Sequence, residues 1–173
     1  MKSLAPQGPA IPVATSIWWI IVSLLLGLMF NLLPWGEAAQ WWRPDFVLVV
    51  GLFWVVQQPH RVGLGVMWSL GLLTDMVDGG MLGQHAIGYA LAAVGALLLQ
   101  RRLLKFNAWQ QALQILPLLL LEKLANVLTA TFAGHAFTDA RYLLSVLSGA
   151  LLWIPVALLL QRARGSSGNT DSA

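Results

Sequence analysis

The stretch GLLTDMVDGGMLGQHA, Gly71–Ala86, sets two aspartates, four glycines and a histidine inside an otherwise apolar region. It is either an acidic site or the turn between two membrane helices, and the fold follows from which. Asp75 and Asp78 are three positions apart, so on one helix they share a face. Gly79-Gly80 comes next, and glycine readily supplies the backbone conformations of a tight turn. Gly83-Gln84-His85 then opens another apolar run. This order describes a helix end, a turn at a water interface where Asp75 and Asp78 meet water, and a helix start. A metal centre would need more oxygen or nitrogen ligands close by, and His85 has no histidine partner at helical spacing. An intramembrane aspartyl protease needs its two aspartates on separate helices. A CDP-alcohol phosphotransferase needs a longer series of aspartates and glycines. Neither pattern is present, and a ligand or partner contact stays open beside the turn.

The composition around the stretch points to a membrane. Of 173 residues, 58% are hydrophobic and 10% charged, against roughly a quarter charged in a soluble domain. The mean hydropathy is +0.71. Such a chain suits an outer face that meets lipid, and its length suits one unit. The net charge of +3 does not indicate nucleic acid, because the basic residues sit in short loops between apolar runs. Cysteine is absent, which excludes disulfides, thiol catalysis and cysteine-bound metal. Most of the nine tryptophans lie near the ends of apolar runs, where headgroups favour such rings.

Six apolar segments are expected: 16–34, 46–56, 62–74, 84–99, 109–132 and 142–160. The first, fifth and sixth are long enough to cross a hydrocarbon core of about 30 Å. The first reads as a retained helix, since no small-residue cleavage site follows it. The second and third are short, and Gln57–Arg61 with Pro59 separates them. They form either two protein-shielded crossings or one re-entrant hairpin. With six crossings, Lys2, Arg61, Arg101, Arg102, Lys105, Arg162 and Arg164 share one side, and Arg43 and Arg141 the other. Seven against two places both termini in the cytoplasm. Glu37, Asp45, Asp75, Asp78 and Asp139 fall toward the outer face, as do His85 and His135, with His60 inside. Residues 1–15 read as a short cytoplasmic segment, 16–164 as the membrane domain, and 165–173 as a disordered cytoplasmic tail.

Several polar residues need separate explanations. Arg43-Pro44-Asp45 places proline in a first helical turn and a carboxylate at the positive helix end. Glu122, Asn126 and Thr129 form one stripe inside the fifth segment, and such a stripe should face the bundle interior, a cavity or a partner. Adjacent Lys123 points elsewhere on the helix, so it is not expected to pair with Glu122, and its stem is short for complete snorkelling. Gly88, Ala92 and Ala96 form a small-residue stripe, and Ser23 with Gly27, Gly65 with Ser69, and Ser145 with Gly149 repeat the spacing. These let helices approach closely. Arg101, Arg102 and Lys105, with Arg61 on the same side, form a basic patch suited to anionic lipid. No nucleophile–base set, phosphate loop or nucleic-acid motif is present.

The order of these features resembles the rod shape-determining MreD family, over about Ile17–Arg164. The resemblance rests on Arg43-Pro44-Asp45 before a Trp-bearing helix, then Pro59-His60-Arg61-Val62-Gly63. It continues through Gly71-Leu72-Leu73-Thr74-Asp75 and Gly79-Gly80-Met81-Leu82-Gly83, with Ala108–Leu113 and a last helix containing Trp153 that ends in basic residues. It implies an all-α, six-helix transmembrane bundle of the bacterial inner membrane, similar to the substrate-binding subunits of energy-coupling-factor transporters. It further implies a non-enzymatic role in cell shape and lateral peptidoglycan synthesis. The implied partners are MreC directly, and through it the MreB filament and the synthase complex. No cofactor or metal is implied. Candidate partner or cavity contacts are Arg43, Asp45, Asp75, Asp78, His85, Glu122 and Asn126. The alternative is a transporter-type subunit with an outward small-molecule pocket. Against it, Ser23-x-x-x-Gly27 stands where such subunits often carry Ala-x-x-x-Ala.

Overall fold

The computed structural model describes residues 16–36, 41–79, 81–134 and 143–167. Among these, six helices and no strand are found: α1 (Ile17–Leu32), α2 (Phe46–Gln57), α3 (Leu64–Asp78), α4 (Gln84–Leu103), α5 (Ala108–Phe132) and α6 (Leu144–Ser167). The expectations for residues 1–15 and 168–173, and for Glu37, Gly80, His135, Asp139 and Arg141, fall outside the described residues.

Helix α2 is the centre of the molecule. Its residues from Val47 to Val56 are all buried, and their sequence, VLVVGLFWVV, is apolar all round, as an enclosed helix reads. It packs against α1, α3, α4 and α6. At 12 residues it spans only about 18 Å, and its neighbours enclose it. Asp45 is its N-cap, and the carboxylate accepts from the Leu48 amide. Pro44 therefore lies one residue before the N-cap, not in the first helical turn.

Lipid and helix interiors are similarly apolar, so close packing and buried hydrogen bonds hold such bundles together. Gly27 of α1 lies against the backbone of α2, where an added Cβ would be 3.3 Å from the Phe46 carbonyl. Gly88 lies against Glu122 and Asn126 of α5, Gly149 against Leu119, and Ala92 and Ala96 are fully buried. The small-residue stripes work as expected there. Gly65 is the exception, since a Cβ there meets nothing within 4 Å and Ser69 bonds within its own helix. Trp54 donates to Ser23 Oγ at 2.8 Å and Trp153 to Gln111 Oε1 at 3.2 Å, both fully buried. These two indoles are core residues, not interface anchors.

Three helices, α4, α5 and α6, are long and apolar enough to cross a membrane. The fourth segment runs past its expected end at Leu99 to Leu103, with Arg101 and Arg102 in the last turn, where cations suit the negative helix end. The first segment falls short of its expected span. It stops at Leu32 because Leu33, which precedes Pro34, turns extended. Helix α6 continues past Arg164, the expected end of the membrane domain, to Ser167. Outward-facing Leu98, Leu113 and Phe132 are each more than 70% exposed, a surface suited to lipid rather than water.

Candidate functional site

The opening stretch folds into a hairpin between α3 and α4, but its acid is not in water. Gly79, at φ +64°, ends α3 in the left-handed conformation that favours glycine. Gly83, at φ +99°, is the N-cap of α4 and has no side chain to cap with. Asp75 reaches across from α3 and does that work. One oxygen accepts from the His85 amide at 2.9 Å and from His85 Nδ1 at 2.8 Å. The other accepts from the amides of Gly83 at 2.8 Å and Ala86 at 3.4 Å. The expectation that Asp75 meets water is corrected: it is 1% exposed. Asp78 does lie at the rim, its side chain 36% exposed and 4.0 Å from Arg43. The two helices touch closely at Gly71, where an added Cβ would lie 2.5 Å from the Ala86 Cα.

Asp45 is the second anchor. Its Oδ1 accepts from Asn31 Nδ2 at 3.0 Å as well as from the Leu48 amide, and its Oδ2 accepts from the Tyr89 hydroxyl. Asn31 in turn accepts the Phe46 amide through Oδ1, and the Arg43 guanidinium donates to the Asn31 carbonyl. Tyr89 lies 3.5 Å from Thr74 Oγ1. One carboxylate thus ties the start of α2 to the end of α1 and to α4.

Glu122 and Asn126 face inward on α5, both at most 1% exposed, and Asn126 Nδ2 donates to Glu122 Oε1 at 2.5 Å. Thr129 bonds back to carbonyls of its own helix. Lys123 departs from the expectation: its Nζ lies 3.4 Å from Glu122 Oε2. Adjacent helix positions diverge at Cβ, but the four-carbon lysine stem can curl back, and burial favours the pairing. Asn126 Oδ1 is buried without a hydrogen-bond donor. Glu122 Oε2 is neutralised by the Lys123 ammonium beside it.

These groups surround one cavity of about 310 Å³, lined by Arg43, Asp45, Asp78, His85 and Lys123 together with Asn31, Thr74 and Ser145. Residues at or near the ends of five helices and one from the middle of α5 contribute to it. Glu122 adjoins it, with one ligand atom each of Asp45, His85 and Glu122 within 4.8 Å of one another. The sequence-predicted contacts therefore converge, except that Asp75 and Asn126 act from behind, on His85 and Glu122. Asn31, Tyr89 and Ser145 were missed. Only Asn31 carried a signal, as an amide at the end of an apolar run. Arg61, Arg101, Arg102 and Lys105 are exposed at the opposite end of the bundle. There Gln100 Nε2 donates to the Val56 carbonyl, and Gln111 Nε2 to those of Leu103 and Phe106.

A family model described as rod shape-determining protein MreD matches residues 14–163. The rod shape-determining protein MreD of Haemophilus influenzae is 28% identical over 152 residues, covering 85% of this chain and 91% of that protein. No solved structure matches.

Proposed function

The chain belongs to the MreD family of rod shape-determining proteins, and from that premise we propose that it is a non-enzymatic scaffold of the cell-elongation complex. It acts by binding MreC in the bacterial inner membrane, and through MreC serves the MreB filament and lateral peptidoglycan synthesis. The observation that supports a scaffold is how the polar end spends its acids. Asp45 and Asp75 accept seven hydrogen bonds between them, which tie helix ends together. Groups used this way hold a shape for a partner to read. The rim residues Arg43 and Asp78 are the side chains that a periplasmic partner segment meets first.

Depletion of the protein should round rod-shaped cells, and the intact chain should restore them. Asp78→Lys reverses charge at the rim, where the ion pair with half-buried Arg43 is long at 4.0 Å and worth about 1 kcal/mol. It should lower co-purification with MreC at an unchanged protein level and leave cells rounded. Full co-purification by this variant would remove the rim from the interface. Cells that keep their shape on depletion but lose uptake of one nutrient would favour a second reading. That reading is a transporter-type subunit, akin to those of energy-coupling-factor transporters, and the cavity of about 310 Å³ is what favours it.

The proposal includes six crossings with both termini cytoplasmic, which puts the polar cavity outside and the Arg61, Arg101, Arg102 and Lys105 end against anionic lipid. A reporter enzyme active only in the cytoplasm, fused after Lys105, should be active. Signal there from a periplasm-dependent reporter alone would overturn this topology.

A further inference from the structure

We propose that Asp45, His85 and Glu122 form a binding site for a divalent transition-metal ion of the Zn²⁺ type. The three side chains come from the starts of α2 and α4 and from the middle of α5, and one ligand atom of each lies within 4.8 Å of the others. Ions of this kind sit about 2.1 Å from oxygen and nitrogen ligands. Small inward rotations therefore close the three onto one ion, leaving a further position open toward the cavity.

The supporting contacts are those that metal sites use. His85 Nδ1 is engaged by the buried Asp75 at 2.8 Å. A carboxylate on one ring nitrogen fixes the proton there and leaves Nε2 as a lone-pair donor. Asn126 orients Glu122 through Oε1, and Asn31 and Tyr89 orient Asp45.

A second observation points to a site that favours a cation. Glu122 is fully buried, and the group that faces its Oε2 is the Lys123 ammonium at 3.4 Å. Asn126 Oδ1, in the same pair, is buried without a donor. It is an acceptor, and buried acceptors without donors are rare. Charge agrees with this. Asp45, Asp75 and Glu122 bring three carboxylates, while Lys123 brings one ammonium, 3.4 Å from Glu122 Oε2. Arg43 is directed to the Asn31 carbonyl and to Asp78. A divalent ion meets the remaining deficit, and the cavity gives the Lys123 stem room to swing aside. One imidazole among oxygens selects a Zn²⁺-type ion over Ca²⁺ or Mg²⁺.

The test uses the full chain in detergent, stripped with a chelator and titrated with Zn²⁺, and with Co²⁺ as a visible-absorbing substitute. One equivalent should bind. Affinity should fall by at least about 100-fold in His85→Gln and in Glu122→Gln, more than loss of a mere supporting contact costs. Glu122→Gln can still accept the bond from Asn126, so it tests the site even if His85→Gln fails to fold. Lys123→Met should bind more tightly, because the competing ammonium is gone. His60→Gln, at the opposite end, should leave binding unchanged. No stoichiometric binding by the intact chain, or equal binding after Glu122→Gln, overturns the proposal. The measurement involves the isolated chain, so its result is independent of whether MreC binds.

Discussion

Gly71→Ala is expected to destabilise the protein by about 3 kcal/mol or more, the upper end of what overpacking costs. An alanine Cβ there would lie 2.5 Å from the Ala86 Cα, 2.6 Å from its nitrogen and 2.8 Å from the His85 carbonyl carbon. All three are backbone atoms, so no side-chain rotation relieves the clash. The start of α4 must move away from α3, and that movement also pulls the His85 and Ala86 amides off Asp75. Two other glycines calibrate the effect. Gly51→Ala meets only the Met67 side chain, which can rotate, so it should cost less. Gly65→Ala meets nothing within 4 Å and should be neutral or stabilise by up to about 1 kcal/mol, since alanine is the better helix former. Unfolding of the purified variants in detergent, with protein levels in cells, ranks the three. Equal stability for Gly71→Ala and Gly65→Ala would mean that α3 and α4 do not touch where described.

Much of this architecture was readable in the chain. The helix–turn–helix of Gly71–Ala86 was legible because glycines mark chain reversals through their backbone freedom. The two ends of the bundle were legible too, because basic residues gather in alternate loops. The buried state of Asp75 was not. Its hydrogen-bond donors are amides of a turn whose path depends on the positive φ of Gly83, and no residue pattern encodes which carboxylate a turn will close upon. The ring around Asp45 was hidden for another reason. Tyr89 is 44 positions away, and a tyrosine in an apolar helix ordinarily reads as core or interface. The Glu122–Lys123 pair defeated the rule that neighbouring helix residues diverge. That rule describes Cβ directions, while a lysine reaches several ångströms beyond its Cβ. For the same reason, no metal site was visible: its three proposed ligands lie on three helices and share no spacing.

Asp75→Ala is expected to cost roughly 2–5 kcal/mol, the range for breaking a buried hydrogen-bonding group. The loss is larger than for an ordinary helix cap because one side chain serves three backbone amides and an imidazole. The more telling variant is Asp75→Asn, which keeps the shape and removes the charge. Oδ1 and Oδ2 both accept from N–H groups, so an amide in either orientation turns its NH₂ toward donors. Asparagine should therefore approach alanine in cost, whereas at an ordinary N-cap it substitutes well for aspartate. The damage should be local at first. Amide hydrogen exchange should quicken at Gly83, His85 and Ala86, while α2, enclosed on all sides, keeps its protection. His85, freed from Asp75, would no longer have its proton held at Nδ1, so Asp75→Asn should also blunt Zn²⁺ binding by 10- to 100-fold. An Asp75→Asn protein as stable as wild type, with unchanged exchange at these amides, would show that the carboxylate does not organise the hairpin.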